Sequence, residues 1–136
     1  MLTRHFLKVN VSLTVLAALA QAASPTWTQL APTGGPPQAR AAHSAVLDTS
    51  AGQMIIFAGA HLNDVWSLTT SASPQWTPVT TTGVSPPARV GHTAVYDSAN
   101  SRMIIFGGGL GNTSPCANDV WVLSNVSQAA AKDDHA

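Results

Sequence analysis

The chain has 136 residues, enough for one small domain, and only 9% of them are charged. Six Lys and Arg balance six Asp and Glu with no basic cluster, which argues against nucleic-acid binding or adhesion to an anionic membrane. The lone cysteine, Cys116, cannot close an intramolecular disulfide and is either a free thiol or half of an intermolecular pair.

Residues 1–22 read as an export signal. Arg4 and Lys8 give a positive start, a largely apolar run follows, and Ala20-Gln21-Ala22 is a small-x-small cleavage site. The alternative is an N-terminal anchor, but residues 9–20 are short for a span and interrupted by Asn10, Ser12 and Thr14. Cleavage after Ala22 leaves 114 residues with four basic and six acidic side chains, a formal charge of −2. The expected location is extracellular or periplasmic, with no membrane association after cleavage.

Beyond the signal, short strands are predicted in a regular series. Residues 27–30, Trp-Thr-Gln-Leu, alternate bulky with small polar side chains, as a half-buried strand does. Residues 33–37 break regular structure with glycine and proline, and residues 43–48 form the next strand. Asp48 then opens a turn, placed to hydrogen-bond its own backbone. Residues 53–57, Gln-Met-Ile-Ile-Phe, are a continuous apolar run, which predicts a strand covered on both faces. Gly59 ends it, and residues 64–68 close the set with Val65 and Trp66.

The chain then says the same thing again. Residues 27–59 and 76–108 align without a gap at an offset of 49, and 16 of the 33 positions are identical. The second set of strands falls at residues 76–79, 92–97, 102–106 and 119–123. Asn63-Asp64-Val65-Trp66 returns as Asn118-Asp119-Val120-Trp121 after a spacer of different length. Three residues separate Gly59 from Asn63, and nine separate Gly108 from Asn118. The longer spacer, residues 109–117, is predicted to be a loop holding Leu110, Asn112, Thr113 and Cys116, and is the best candidate for a specific contact; the plainer reading is a tolerated insertion. Asn112-Thr113-Ser114 and Asn125-Val126-Ser127 are sequons that carry glycans only in a host that modifies such sites. Residues 124–136 are predicted to be a disordered tail. A period near 50 residues with period-2 patterning and no helical stretch predicts an all-β protein of stacked units.

These residues resemble kelch repeats, the blades of a β-propeller. The resemblance rests on features in fixed order: Pro37-x-x-Arg40-x-x-His43 and Pro86-Pro87-Ala88-Arg89-Val90-Gly91-His92, a hydrophobic strand closing on Gly107-Gly108, Asn-Asp-Val-Trp, and the spaced tryptophans. The first copy departs from the pattern at Ala58, where the second has Gly107. The resemblance implies two four-stranded antiparallel blades of an incomplete propeller, repeats at 27–68 and 76–123 within a domain at 23–123. It orders each blade from residues 43–48 or 92–97 innermost to the Trp27 or Trp76 strand outermost. It also implies that the Trp76 strand completes the first blade, while residues 27–30 belong with the second. Two blades make no ring, since propellers take about four to eight. A fragment of a longer propeller, an unstable remnant, and a head-to-tail homo-oligomer that completes the ring remain open.

The repeated polar residues are read as structural. His43 and His92 could bind a metal only if further ligands clustered with them, and the expectation is no metal and no cofactor, each histidine instead fixing a loop of its own blade. Arg40 and Arg89 are expected to tie down carbonyls or an aspartate between blades. Asp64 and Asp119 are expected to accept bonds from turn amides. Trp66, Trp76 and Trp121, with Trp27, are expected to fill the space between blades. Some propellers of this kind belong to secreted copper oxidases similar to galactose oxidase, whose sites need tyrosine and histidine ligands and a cysteine–tyrosine cross-link. Tyr96 is the only tyrosine, and no ligand set carries over onto this chain. The expected function is a secreted, non-enzymatic module that binds a protein or glycan. The alternative is part of a galactose-oxidase-like or sialidase-like enzyme with its catalytic residues elsewhere.

Overall fold

A computed structural model describes residues 24–111 and 115–126. Its elements are seven strands: β1 Ser44–Asp48, β2 Gln53–Gly59, β3 Leu62–Thr69, β4 Trp76–Pro78, β5 Thr93–Asp97, β6 Arg102–Gly109 and β7 Cys116–Ser124. They form two antiparallel sheets, one of four strands in the order β1-β2-β3-β4 and one of three in the order β5-β6-β7. The all-β class is as the repeat pattern predicts, and the order of the seven strands within their sheets is as the kelch resemblance implies.

The two sheets are built by the same rules. β2 and β6 sit in the middle of their sheets, each flanked on both edges. β2 is buried or half-buried along both faces, as its apolar run predicts, whereas β6 buries Met103 and Ile105 on one face and leaves Phe106 exposed on the other. The β1–β2 turn forms as Asp48 predicts, with its Oδ1 accepting from the Ser50 and Ala51 amides at 3.1 and 3.2 Å. Asp97 holds the β5–β6 turn with more side-chain help: its Oδ2 accepts from the Asn100 side-chain Nδ2 and from Arg102 Nε, both at 2.8 Å, and its carboxylate also takes the Asn100 backbone amide.

A bulge follows the phenylalanine in both central strands, between Phe57 and Gly59 and between Phe106 and Gly108. Ala58 takes the left-handed conformation there, with φ of 57°, matching Gly107 at 66°. The turn is thus preserved in the first copy despite the lost glycine. Gly59 and Gly108 are required by close approach: a Cβ at either would lie 2.8 Å from the carbonyl oxygen of Ala41 or of Val90.

Three expectations are corrected. Residues 27–30 form no strand, and Trp27 is fully exposed, so the second blade has three strands and not four. The pattern at 27–30 suits a strand, but among the described residues β7 keeps an unpaired outer edge and no neighbouring strand fixes the segment. The spacer at 109–117 is not simply a loop. Gly109 pairs with Cys116 and Gly108 with Ala117, so the hairpin runs on past the glycines. The packed chain also continues past Leu123, because Val126 is buried at 1% exposure. The export signal at 1–22, Asn112, Thr113 and residues 127–136 lie outside the described residues. Among those described, no helix is long and apolar enough to cross a membrane.

The core lies between the sheets. Val46, Ile55, Phe57, Ala58 and Val65 from the first meet Met103 and Ile105 from the second, with Val126 closing one end. Backbone bonds stitch the blades together at the loop around Arg89: Gly59 N donates to Arg89 O, Arg89 N to Leu62 O, and Gly91 N to Ala42 O.

Candidate functional site

Each blade carries the same polar knot. Arg40 donates from Nη1 and Nη2 to the two carboxylate oxygens of Asp64 at 2.6 and 2.9 Å, and from Nη1 to Ala58 O at 3.1 Å. Arg89 does the same to Asp119 at 2.8 and 2.9 Å and to Gly107 O at 2.7 Å. The indole of Trp66 donates to Asp64 Oδ2 at 2.8 Å, and that of Trp121 to Asp119 Oδ2 at 2.6 Å. The bidentate fork is the geometry for which guanidinium is suited. Both arginine side chains are buried, at 4% and 0% exposure, with the carboxylates supplying the countercharge.

These knots correct two expectations. The arginines reach carbonyls and aspartates of their own blade, not across blades. The aspartates accept chiefly from arginine and indole, where turn amides had been expected. The signal for the indole bond is present in the sequence: Asp-x-Trp in a strand places both side chains on one face, and it occurs twice. The Arg40 hydrogen bond holds the Asp64 carboxyl below the ordinary range, aided by Trp66. The Arg89 hydrogen bond, then that of Trp121, drive Asp119 lower still. Both groups are fixed as anions at any physiological pH, which suits clasps and not proton transfer.

The two histidines part company. His92 Nε2 lies 2.6 Å from Ser44 Oγ in the first blade, and its ring packs edge-on against Phe57 with centroids 5.2 Å apart. It therefore joins blades, where its expected task was to fix a loop of its own. Burial, then the nearby Arg89 and His43 charges, push its pKa down, so the ring sits neutral in the junction. His43 occupies the same place in the first repeat and is exposed. Among the described residues, no group of three or more His, Cys, Asp or Glu side chains could hold a metal ion.

Of the tryptophans, Trp66, Trp76 and Trp121 are half-buried within the blades, whereas Trp27 stands clear of the protein. The remaining candidates cluster at one end of the second sheet. Leu110 is exposed just beyond β6, and the Cys116 thiol is exposed at the start of β7. The bridge between Val90 and Gly109 braces this end from the side.

Twisted antiparallel sheets stacked face to face, each with matched arginine, aspartate and tryptophan at the same register, define stacked blades of the β-propeller class. A family model described as the KLHDC2/KLHL20/DRC7 Kelch-repeats domain matches residues 10–133, and the chain belongs to the kelch-repeat family. No curated protein matches the chain. Domains of this family are typically non-enzymatic scaffolds for protein binding.

Proposed function

We propose that this chain is an exported, non-enzymatic binding module that contacts a protein through the end of the β6–β7 hairpin. The observation that carries the reading is a division of labour. The repeated arginines, aspartates and half-buried tryptophans bond to one another, whereas the nonrepeated hairpin end presents Leu110 and Cys116 to solvent. An apolar side chain raised on a braced hairpin suits protein recognition better than sugar stacking. Glycan platforms need free indole faces, and three of the four tryptophans are half-buried in the blades.

The described strands do not bring together an oxidase cross-link of this chain's own residues. Tyr96 pairs with Met103 and Cys116 with Gly109, six residues apart along β6. At 3.3–3.4 Å per residue that is roughly 20 Å, too far for a cysteine–tyrosine cross-link within this chain.

Two measurements test the reading. Expressed in a secreting host, the chain should appear in the medium with Ala23 as its first residue; an uncleaved chain retained in the cells refutes export. A photo-cross-linker attached to Cys116 should capture a defined extracellular protein, and Leu110→Asp should abolish capture. Capture unaffected by Leu110→Asp, or binding to a glycan panel instead, refutes the protein-binding site.

A further inference from the structure

The two blades expose opposite accounts of the same surface. In the first, Val46, Phe57 and Val65 are 8%, 4% and 6% exposed because the second blade lies on them. The residues at the same places in the second blade are identical in type, yet Val95, Phe106 and Val120 are 61%, 52% and 63% exposed. Val122 extends this bare patch. The chain thus carries, uncovered, a copy of a surface that it elsewhere covers with a blade of its own.

The covering half of the junction is also repeated. Met103, Ile105 and Ala94 meet the first blade, and Met54, Ile56 and Ala45 hold the matching positions in the first repeat. Leu47, at the place of Tyr96, is 53% exposed. The polar bond across the junction has its counterpart too: His92 reaches Ser44, and the equivalent residues are His43 and Thr93, both exposed.

A third observation points the same way. Trp76, Thr77 and Pro78 pair with Leu68, Ser67 and Trp66 on the outer edge of β3. Among the described residues, their counterparts Trp27, Thr28 and Gln29 pair with no strand, and none pairs with the outer edge of β7. The strand that closes the first blade arrives on the chain leading into the second blade. The strand that leads into the first blade pairs with no such edge among the described residues.

We propose that the bare face and free edge of the second blade dock the first blade of a second copy of this chain, head to tail. The incoming copy lays Ala45 and Leu47, both exposed, together with half-buried Met54 against Val95, Phe106 and Val120; Ile56 on that side is already covered within its own chain, at 4% exposure. Its residues 27–29 add to β7 in the register seen at β4, Trp27 opposite Leu123, Thr28 opposite Val122 and Gln29 opposite Trp121. His43 of the incoming copy bonds Thr93. A partner of unrelated sequence would have to imitate the apolar residues, the histidine and the strand together, whereas a second copy carries all three. The contact is heterologous, so it either closes into a ring or extends into a fibre. At about four to eight blades per ring, closure takes about two to four copies.

The test is independent of the hairpin-binding reading, because it needs no other ligand. Light scattering on the purified chain, over roughly a hundredfold range of concentration, should show one discrete species of about two to four copies. Phe106→Lys should reduce it to a single copy with an unchanged circular dichroism spectrum, since Phe106 is already exposed in the lone chain. In a Cys116→Ser background, mixing Thr28→Cys with Val122→Cys chains under oxidation should give a covalent dimer that neither variant gives alone. A folded single copy across the range, an oligomer indifferent to Phe106→Lys, or no mixed disulfide would each overturn the proposal.

Discussion

The first and second blades share half their residues in register and the same strand order, yet they are in different physical states. Phe57 is at 4% exposure and Phe106 at 52%; His92 is buried and bonded, and its twin His43 is exposed. Ala58 and Gly107 hold one backbone conformation, although only Ala58 carries a Cβ. Almost every difference traces to whether a neighbour is present on one side. A blade is therefore only half specified by its own residues, and its apolar faces acquire their stability from whatever stacks on them.

The sharpest way to break the symmetry is at the paired phenylalanines. Phe57→Ala should cost about 3–4 kcal/mol in denaturant melts. Phe106→Ala, measured under dilute conditions where copies are separate, should cost about 1 kcal/mol or less because half of its ring already meets water. Equal costs would mean that the second blade is covered in solution.

A smaller contrast is available at the bulge. Ala58→Gly should change stability by less than about 0.5 kcal/mol, because relief of the left-handed alanine is offset by loss of a fully buried methyl. Gly107→Ala should destabilise by about 1 kcal/mol or slightly more, since the new Cβ would lie 3.0 Å from Ala117 O. Thermal unfolding of both variants reads the difference directly.

Ser44→Ala removes the partner of His92 and should cost about 1 kcal/mol, whereas Thr93→Ala should change little in the separate chain. The same bond sharpens a pH dependence. The folded state holds the His92 pKa below the ordinary value near 6.5, so its neutral form is favoured on folding. Its contribution is complete above that value and is lost as pH falls through it towards the folded-state value. Stability should therefore decline on acidification from pH 7, and His92→Gln should flatten that slope. The carboxylates act lower: Asp64 and Asp119, held down by their arginines, weaken the knots only below the ordinary carboxylate range.

Much of the fold was legible from the residues. The Met-Ile-Ile-Phe runs announced central strands, and Asp48 announced its turn, because both effects act within a few residues of sequence. What could not be read were properties that depend on a neighbour. Residues 27–30 match 76–79 in pattern, but only the second has a strand edge beside it. The two histidines are identical in motif, and only one has a blade in front of it. The spacer at 109–117 looked like a loop because of its glycines, yet Gly108 and Gly109 continue the ladder with small residues at β6's end. Of the knot, the repeated arginines and aspartates are visible in the sequence, but their pairing crosses the blade, from Arg40 to Asp64 and from Arg89 to Asp119, and spacing alone does not give it.

Gln53 is wholly buried in the first blade, and its Nε2 donates to Val126 O at 3.1 Å, across 73 positions of chain. Val126 N in turn bonds Ser101 O. The first blade thus has its own strands long before it has its final hydrogen-bond partner. During synthesis, with residues leaving the ribosome at about 5–20 per second, the buried amide waits several seconds for that carbonyl to emerge. Completion of the earliest-made sheet is accordingly a late event, and a nascent chain halted before Val126 should remain open to proteases.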